Sequence, residues 1–429
     1  MKKLLLSAVL VLAAACFAES ARLKDGDRIA VIGDSITEQK LYSVYLEFYL
    51  RACSGVRDLS VIQFGHGGEH ASGYAAHRMN DTCSWFRPTV ATVCYGMNDG
   101  QYRKFNDRIA KNFRHGLRKI ADYMARNNTR LLLCSPGAVD TTTFRRLSPE
   151  EYNKTLGALS GIARETAAEF HTDYLDLHTL LLDVMRKAKA KYGDSYHVCG
   201  PDGIHPAKNG HLVMAFAMLK AFGMDGKIAD IKMDYASGKT EVSSGHTVLQ
   251  SRPGAVTLES TRWPFCFWKA PAKPLPTSET TILPFLPFNR DLNRFILTVT
   301  HLPSSGAEVQ FGSGDFLYFS KADLEKGVNL TDFFFGRDNA FHSVTNTLYQ
   351  KIRTKQLFET RIFRLYQTGL RAAIPDLEKR SAELIGATTV IQKELKKDWQ
   401  AMEDDVRKTA ETPHRYTITV RPCERKQAQ

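Results

Sequence analysis

The chain has 429 residues, 43% of them hydrophobic, and a formal net charge of +12 at pH 7. That much apolar material supports two domains, or one domain with a large extension. Eight cysteines without CxxC pairs argue against a zinc module and a disulfide-dense scaffold, and nothing in the chain resembles a nucleic-acid-binding module.

Residues 1–18 read as a cleaved secretory leader. Lys2 and Lys3 precede an apolar run from Leu4 to Ala15, and small residues follow up to Ala18. The run is too short to span a bilayer, and no later stretch reaches eighteen uninterrupted apolar residues, so no transmembrane segment is expected. Cys16 after Ala13-Ala14-Ala15 leaves lipid anchoring open, although Ala13 stands where lipoprotein signals usually carry Leu. The expectation is a secreted or periplasmic protein whose charge is +10 once Lys2 and Lys3 are removed. Such a charge can draw a protein to acidic polysaccharide, but a solubilising surface is the simpler reading. Seven cysteines remain. Cys94 and Cys134 fall in apolar runs and read as buried thiols, while Cys53 and Cys83 are candidates for a disulfide.

From Arg28 to Phe222 the pattern alternates. Short apolar runs occur at Ile29 to Ile32, Leu59 to Phe64, Val90 to Tyr95, Leu131 to Cys134 and Tyr174 to Leu177. Amphipathic stretches separate them, among them Ile109 to Met124 and Tyr152 to Phe170, the second opened by Ser148-Pro149-Glu150-Glu151 as N-cap and first turn. The alternation predicts a parallel sheet covered by helices on both faces, with chemistry just beyond the carboxyl end of each strand. Four such ends carry it. Ser35, in Gly33-Asp34-Ser35, sits in a strand-to-helix turn where a nucleophile would meet free N–H groups, although an N-cap reads as well there. Gln63-Phe64-Gly65-His66-Gly67-Gly68-Glu69 is a loop whose backbone can approach a ligand. Asn98 follows the third run in Tyr95 to Gly100, and Asp202 and His205 lie three residues apart in Gly200 to Pro206.

In this fixed order the four blocks resemble the SGNH subgroup of GDSL-type esterases and acylhydrolases, over roughly Asp27 to Phe222. The resemblance implies a flavodoxin-like α/β fold and a carboxylic ester hydrolase without cofactor or metal. It also implies an acyl-enzyme mechanism with Ser35 as nucleophile, His205 as general base and Asp202 as its orienting acid. The oxyanion hole would be the N–H groups of Ser35 and Gly68 with the Asn98 amide. Gln63 departs from the family, which commonly has Asn there and rarely two histidines in this block. A rival motif overlaps it: His66-Gly67-Gly68-Glu69-His70 matches the inverted zinc-peptidase pattern, which must be helical. Two adjacent glycines cost about 1 kcal/mol each in a helix interior, so the stretch reads as a loop.

After Phe222 the alternation stops. About Ile228 to Leu330 is β-rich, with a Pro-rich connection through Pro271, Pro274, Pro276, Pro284 and Pro287. Phe295 to Val299 and Arg415 to Val420 read as strands, the latter returning to close a small sandwich. The aromatic stretch Trp263 to Trp268 reads as core rather than a sugar-stacking surface. Two helical patterns follow, one through Val344, Leu348, Ile352, Phe358, Ile362 and Leu365. The other starts near Pro375 and runs through Leu377, Leu384, Ile391, Leu395, Trp399, Met402 and Val406. Each has an apolar stripe opposite a charged face, as in an antiparallel hairpin that packs on itself and the sandwich, joins subunits as a homo-oligomer contact, or arches over the catalytic mouth. The expected organisation is a leader over 1–18, an SGNH-type domain over 19–225, and a β-rich module over 226–429 with a helical hairpin near 340–411. An exported esterase with an appended β module points to an O-acyl, above all O-acetyl, ester on carbohydrate. The partner is then an acylated small molecule or polysaccharide. A lipase or lysophospholipase, and a non-catalytic glycan-binding or assembly protein, are the competing readings.

Overall fold

The computed structural model describes residues 21–265, 276–334, 337–364 and 382–424. The expected leader with Cys16 lies outside the described residues, as do Cys266 to Trp268, Pro271, Pro274, Leu365, Pro375 and Leu377.

Strands β1 (Arg28–Gly33), β2 (Ser60–Gln63), β3 (Val90–Cys94), β4 (Arg130–Cys134) and β5 (Asp173–Leu175) form one parallel sheet. Its order, β2-β1-β3-β4-β5, is flavodoxin-like. The strand interiors are mainly apolar because helices cover both faces: Ile29 and Val31 enter one core, Ala30 and Ile32 the other. Val31 pairs with both Gln63 and Thr92, so three strands finish side by side. The turn after β1 enters a single helical turn, α1 (Ser35–Glu38). The longer amphipathic helix α2 (Tyr42–Ala52) starts only after Lys40, whose left-handed backbone (φ 56°) breaks the path.

Cys53 and Cys83 are both buried and are not joined to each other, which corrects their reading as candidates for a disulfide. Cys53 ends α2 in one core and Cys83 lies in the core on the other face of the sheet, so the sheet itself keeps them apart.

The C-terminal module is β-rich with helices. One sheet has the order β13-β10-β6-β7, built from β6 (Lys227–Asp234), β7 (Thr240–Val242), β10 (Arg294–Thr300) and β13 (Val328–Asn329). The other runs β12-β11-β14-β9-β8, from β8 (His246–Arg252), β9 (Ala255–Ser260), β11 (Gly306–Phe311), β12 (Phe316–Ser320) and β14 (His414–Cys423). The sheets meet where Phe295 of β10 lies 5.4 Å from the ring of Phe311 and 6.3 Å from that of Tyr416. Trp263 and Phe265 are core: Phe265 packs among Tyr45, Phe48 and Tyr49 of α2, where full burial of such a ring is worth about 1.5–3 kcal/mol.

The two helical patterns become one helix over His342–Phe363 and another over Ala382–Glu411. They pack against each other and onto the β2 edge of the parallel sheet, where Phe363 meets Phe64 and Trp399 meets Trp85 and Phe86. The apolar stripe is therefore covered by the chain's own hydrolase half. One stripe residue departs from the sequence reading, since Ile391 is 41% exposed, and the buried face of the first helix includes the charged Lys355 and Glu359. Compensation makes that burial tolerable, because Lys355 Nζ lies 2.9 Å from Glu47, 3.0 Å from Glu359 and 2.9 Å from Glu403.

Candidate active site

Three strand ends and the loop between the helices Leu177–Tyr192 and Lys208–Ala221 build the site. After β1, Asp34 caps α1 by accepting the Ile36 N–H on Oδ1 at 3.0 Å, which leaves Ser35 as the first helical residue. The Ser35 hydroxyl lies 2.8 Å from His205 Nε2, and His205 Nδ1 lies 2.6 Å from Asp202 Oδ2. A carboxylate facing Nδ1 places the proton there and leaves Nε2 as acceptor for the serine hydroxyl. Asp202 Oδ1 also accepts the N–H groups of Ile204 and His205, each at 3.0 Å. Burial by itself would raise the Asp202 pKa, but the hydrogen bonds from His205 and Ile204 outweigh it and hold the carboxyl below its ordinary value. The turn needs glycine at Gly200 (φ 78°), where a side chain would collide with the His205 carbonyl.

The block after β2 is a turn, not a helix, so it does not present His66 and His70 to one metal ion in the zinc-peptidase manner. His66 is half-buried, and exposed His70 precedes helix α3 (Ala71–His77). Glu69 accepts from Arg78 at 2.7 Å and from the Tyr95 hydroxyl at 2.6 Å. Gly68 is exposed with φ 74°, and neither its N–H nor that of Ser35 has an acceptor among the described residues. Beyond β3, Asn98 donates from Nδ2 to the Glu69 carbonyl at 3.2 Å and accepts the Tyr102 hydroxyl on Oδ1 at 3.2 Å. These two partners fix which end of the amide is which and leave the second Nδ2 hydrogen for another acceptor. Gln101 and Tyr102 both take left-handed backbone (φ 54° and 53°), a conformation that costs roughly 1–2 kcal/mol per residue. The Tyr102 ring is held by stacking on Tyr152 at 5.2 Å, with the Arg146 guanidinium 4.1 Å from its centre.

Behind these loops the electrostatics are set by burial. Asp34 and Asp99 are each pushed up to about 7 by loss of solvent, and the buried His211 imidazole is pushed down to about 3, so it stays neutral. His211 carries Gln39 on Nε2 at 2.8 Å. Beside His205 opens a cavity of about 550 Å³ whose walls mix Gln39, Asp202, Lys208, Thr277 and Ser278 with Leu41, Pro201, Pro206 and Ala207.

Of the residues singled out in the sequence, Ser35, His205 and Asp202 are hydrogen-bonded in series, and Asn98 is tied to the Gly68–Glu69 loop. Glu38, Arg364 and Tyr102 were not foreseen. The departure at Gln63 signals only the approach of the first hairpin helix, which its longer side chain reaches by donating from Nε2 to Thr360 Oγ1 at 2.7 Å.

Residues 31–213 match the model of the GDSL-like lipase/acylhydrolase family. Among solved structures, a gut microbial diltiazem-metabolizing enzyme aligns over 94% of this chain and 100% of its own, with TM-score 0.70 and 19% identity. Its fold is thus shared across both halves. An acetylxylan esterase from Geobacillus stearothermophilus aligns over 47% of this chain and 96% of its own, with TM-score 0.40 and 18% identity. An alpha/beta hydrolase from the metagenome of Lake Arreo, Spain, covers 47% and 97%, with TM-score 0.38 and 19% identity. No curated protein matches the chain.

Proposed function

We propose that this chain, a carboxylic ester hydrolase whose residues 31–213 form a GDSL-like lipase/acylhydrolase domain, is an exported serine esterase that removes short O-acyl groups, above all acetyl, from carbohydrate. The observation that carries the mechanism is the series Ser35, His205, Asp202, with contacts of 2.8 and 2.6 Å. His205 Nε2 takes the Ser35 proton as the oxygen attacks the ester carbonyl carbon. The N–H groups of Ser35 and Gly68 and the free Asn98 Nδ2 hydrogen receive the oxyanion. Collapse of the tetrahedral adduct expels the alcohol, which takes its proton from His205. Water, deprotonated by the same nitrogen, then releases the acid and restores Ser35. Asp202 keeps the proton on Nδ1 throughout and stabilises the imidazolium.

Support for a polar alcohol comes from the side chains of Gln39, Asp202, Lys208, Thr277 and Ser278 in the mouth beside His205. The leader-like residues 1–18 support export. Ser35→Ala is expected to abolish hydrolysis of p-nitrophenyl acetate and stoichiometric fluorophosphonate labelling while the circular dichroism spectrum stays unchanged. Retention of more than a few per cent of the activity rules out Ser35 as nucleophile. Wild type is expected to prefer acetylated polysaccharide to long-chain acyl esters; the opposite order makes it a lipase, and no labelling of Ser35 makes it a binding protein.

A further inference from the structure

The loop from Gly65 to Gly68 makes no strand or helix and is held from outside. On one side the Gly65 N–H donates to Gln63 Oε1 at 3.0 Å. Gln63 is itself gripped by the first hairpin helix, since its Nε2 donates to the Gln356 carbonyl at 3.2 Å and to Thr360 Oγ1 at 2.7 Å. Its main-chain N–H donates to Glu359 Oε2 at 3.0 Å. On the other side the Gly67 N–H donates to Glu38 Oε2 at 2.9 Å, and Glu38 Oε1 pairs with Arg364 at the end of the same helix. Lys40, buried beside them, donates to the Glu38 carbonyl. The Gly67 peptide lies against the serine: a Cβ built on Gly67 would sit 3.9 Å from Ser35 Cβ.

We propose that the C-terminal hairpin is a working part of the esterase site, with Glu38 and Arg364 as positioning residues that hold the Gly65–Gly68 loop in place for the oxyanion; this rests on the serine-esterase reading above. An N–H bound to a carboxylate makes a charge-assisted bond roughly twice as strong as a neutral one, and it fixes the plane of the Gly67 peptide. Arg364 in turn fixes the carboxylate. Oxyanion donors act through preorganisation, so a loop free to rotate loses transition-state stabilisation without losing substrate binding.

The test uses the purified full-length chain and p-nitrophenyl acetate. Glu38→Ala is expected to lower kcat about 10-fold or more, with KM changed by less than about 2-fold. Glu38→Gln, which still offers Gly67 an acceptor, is expected to restore most of that loss. Arg364, 57% exposed, is open to screening. Added salt is therefore expected to lower kcat in wild type and to leave Arg364→Ala unaffected. Hydrogen exchange of the peptide over residues 63–69 reads the tether without turnover and is expected to quicken in both alanine variants. Unchanged exchange, unchanged kcat, or an effect on KM alone overturns the proposal. A wild type that protects this peptide and hydrolyses no ester defeats the esterase reading and leaves the tether standing.

Discussion

Asp34 and Asp99 sit behind the Ser35 turn as carboxyls that burial pushes up to about 7. In the unfolded chain they ionise at their ordinary value of 3.8. Between those values the folded protein holds protons that the unfolded chain has released, so stability falls as pH rises through the window. The contribution is whole below the ordinary carboxylate value and gone above about pH 7. An infrared carbonyl band of protonated carboxyl is therefore expected to vanish as pH rises through 7, and to be weaker from the outset in Asp99→Asn; a band of equal strength in both sinks the assignment. At this scale the sequence exposed whatever lies within a few residues of a strand end, as Ser35 and Asn98 do, or within one turn, as Asp202 and His205 do. Arg364 was not exposed in this way, because its partner Glu38 is more than three hundred positions earlier and no local pattern links them.

Among elements, the hairpin shows most clearly what an apolar pattern leaves out. Spacing puts Lys355 and Glu359 on the same face as Leu348, Ile352 and Ile362, two charges within the apolar stripe. In the fold they are buried against Glu47, Arg51 and Glu403, because the helix lies on a neighbour that supplies counter-charges. Burial alone would lower the Lys355 pKa; the three carboxylates outweigh it and raise it, while burial pushes Glu359 up to about 7. Lys355→Met strips the centre from this cluster, leaving Glu47 and Glu403 with Arg51 and Glu359 without its cation. The expected cost is about 3–5 kcal/mol of unfolding free energy, read from urea denaturation. Lys355→Met combined with Glu359→Gln is expected to lose less than the single change, since one unpaired buried charge goes with it. A single variant as stable as wild type removes the cluster from any structural role. The parallel sheet, by contrast, was legible, because its strands are short, mainly apolar runs and the first three end in or before Gly33, Gly65 and Gly96.

For the whole molecule, the halves share one apolar core in which Phe265 and Phe288 fill the space beside Tyr49. A fragment cut at the proposed boundary near residue 225 bares that face of α2, and it is expected to elute as aggregate in gel filtration. A monomeric, active fragment would show instead that the hydrolase half stands alone. Strand β14 adds a condition of time. It is among the last described residues of the chain, yet it lies mid-sheet between β9 and β11, pairing His414 with Ser260 and Gly306 with Cys423. Contacts between such distant positions close slowly. A chain emerging from the ribosome therefore presents its serine, and every strand of the sheet behind it, long before the sandwich can shut. The hairpin helices over His342–Phe363 and Ala382–Glu411 belong to the same late segment. On the proposed bracing of the Gly65–Gly68 loop, the turn that carries Ser35 is thus synthesised well ahead of the groups that hold its neighbouring loop in place.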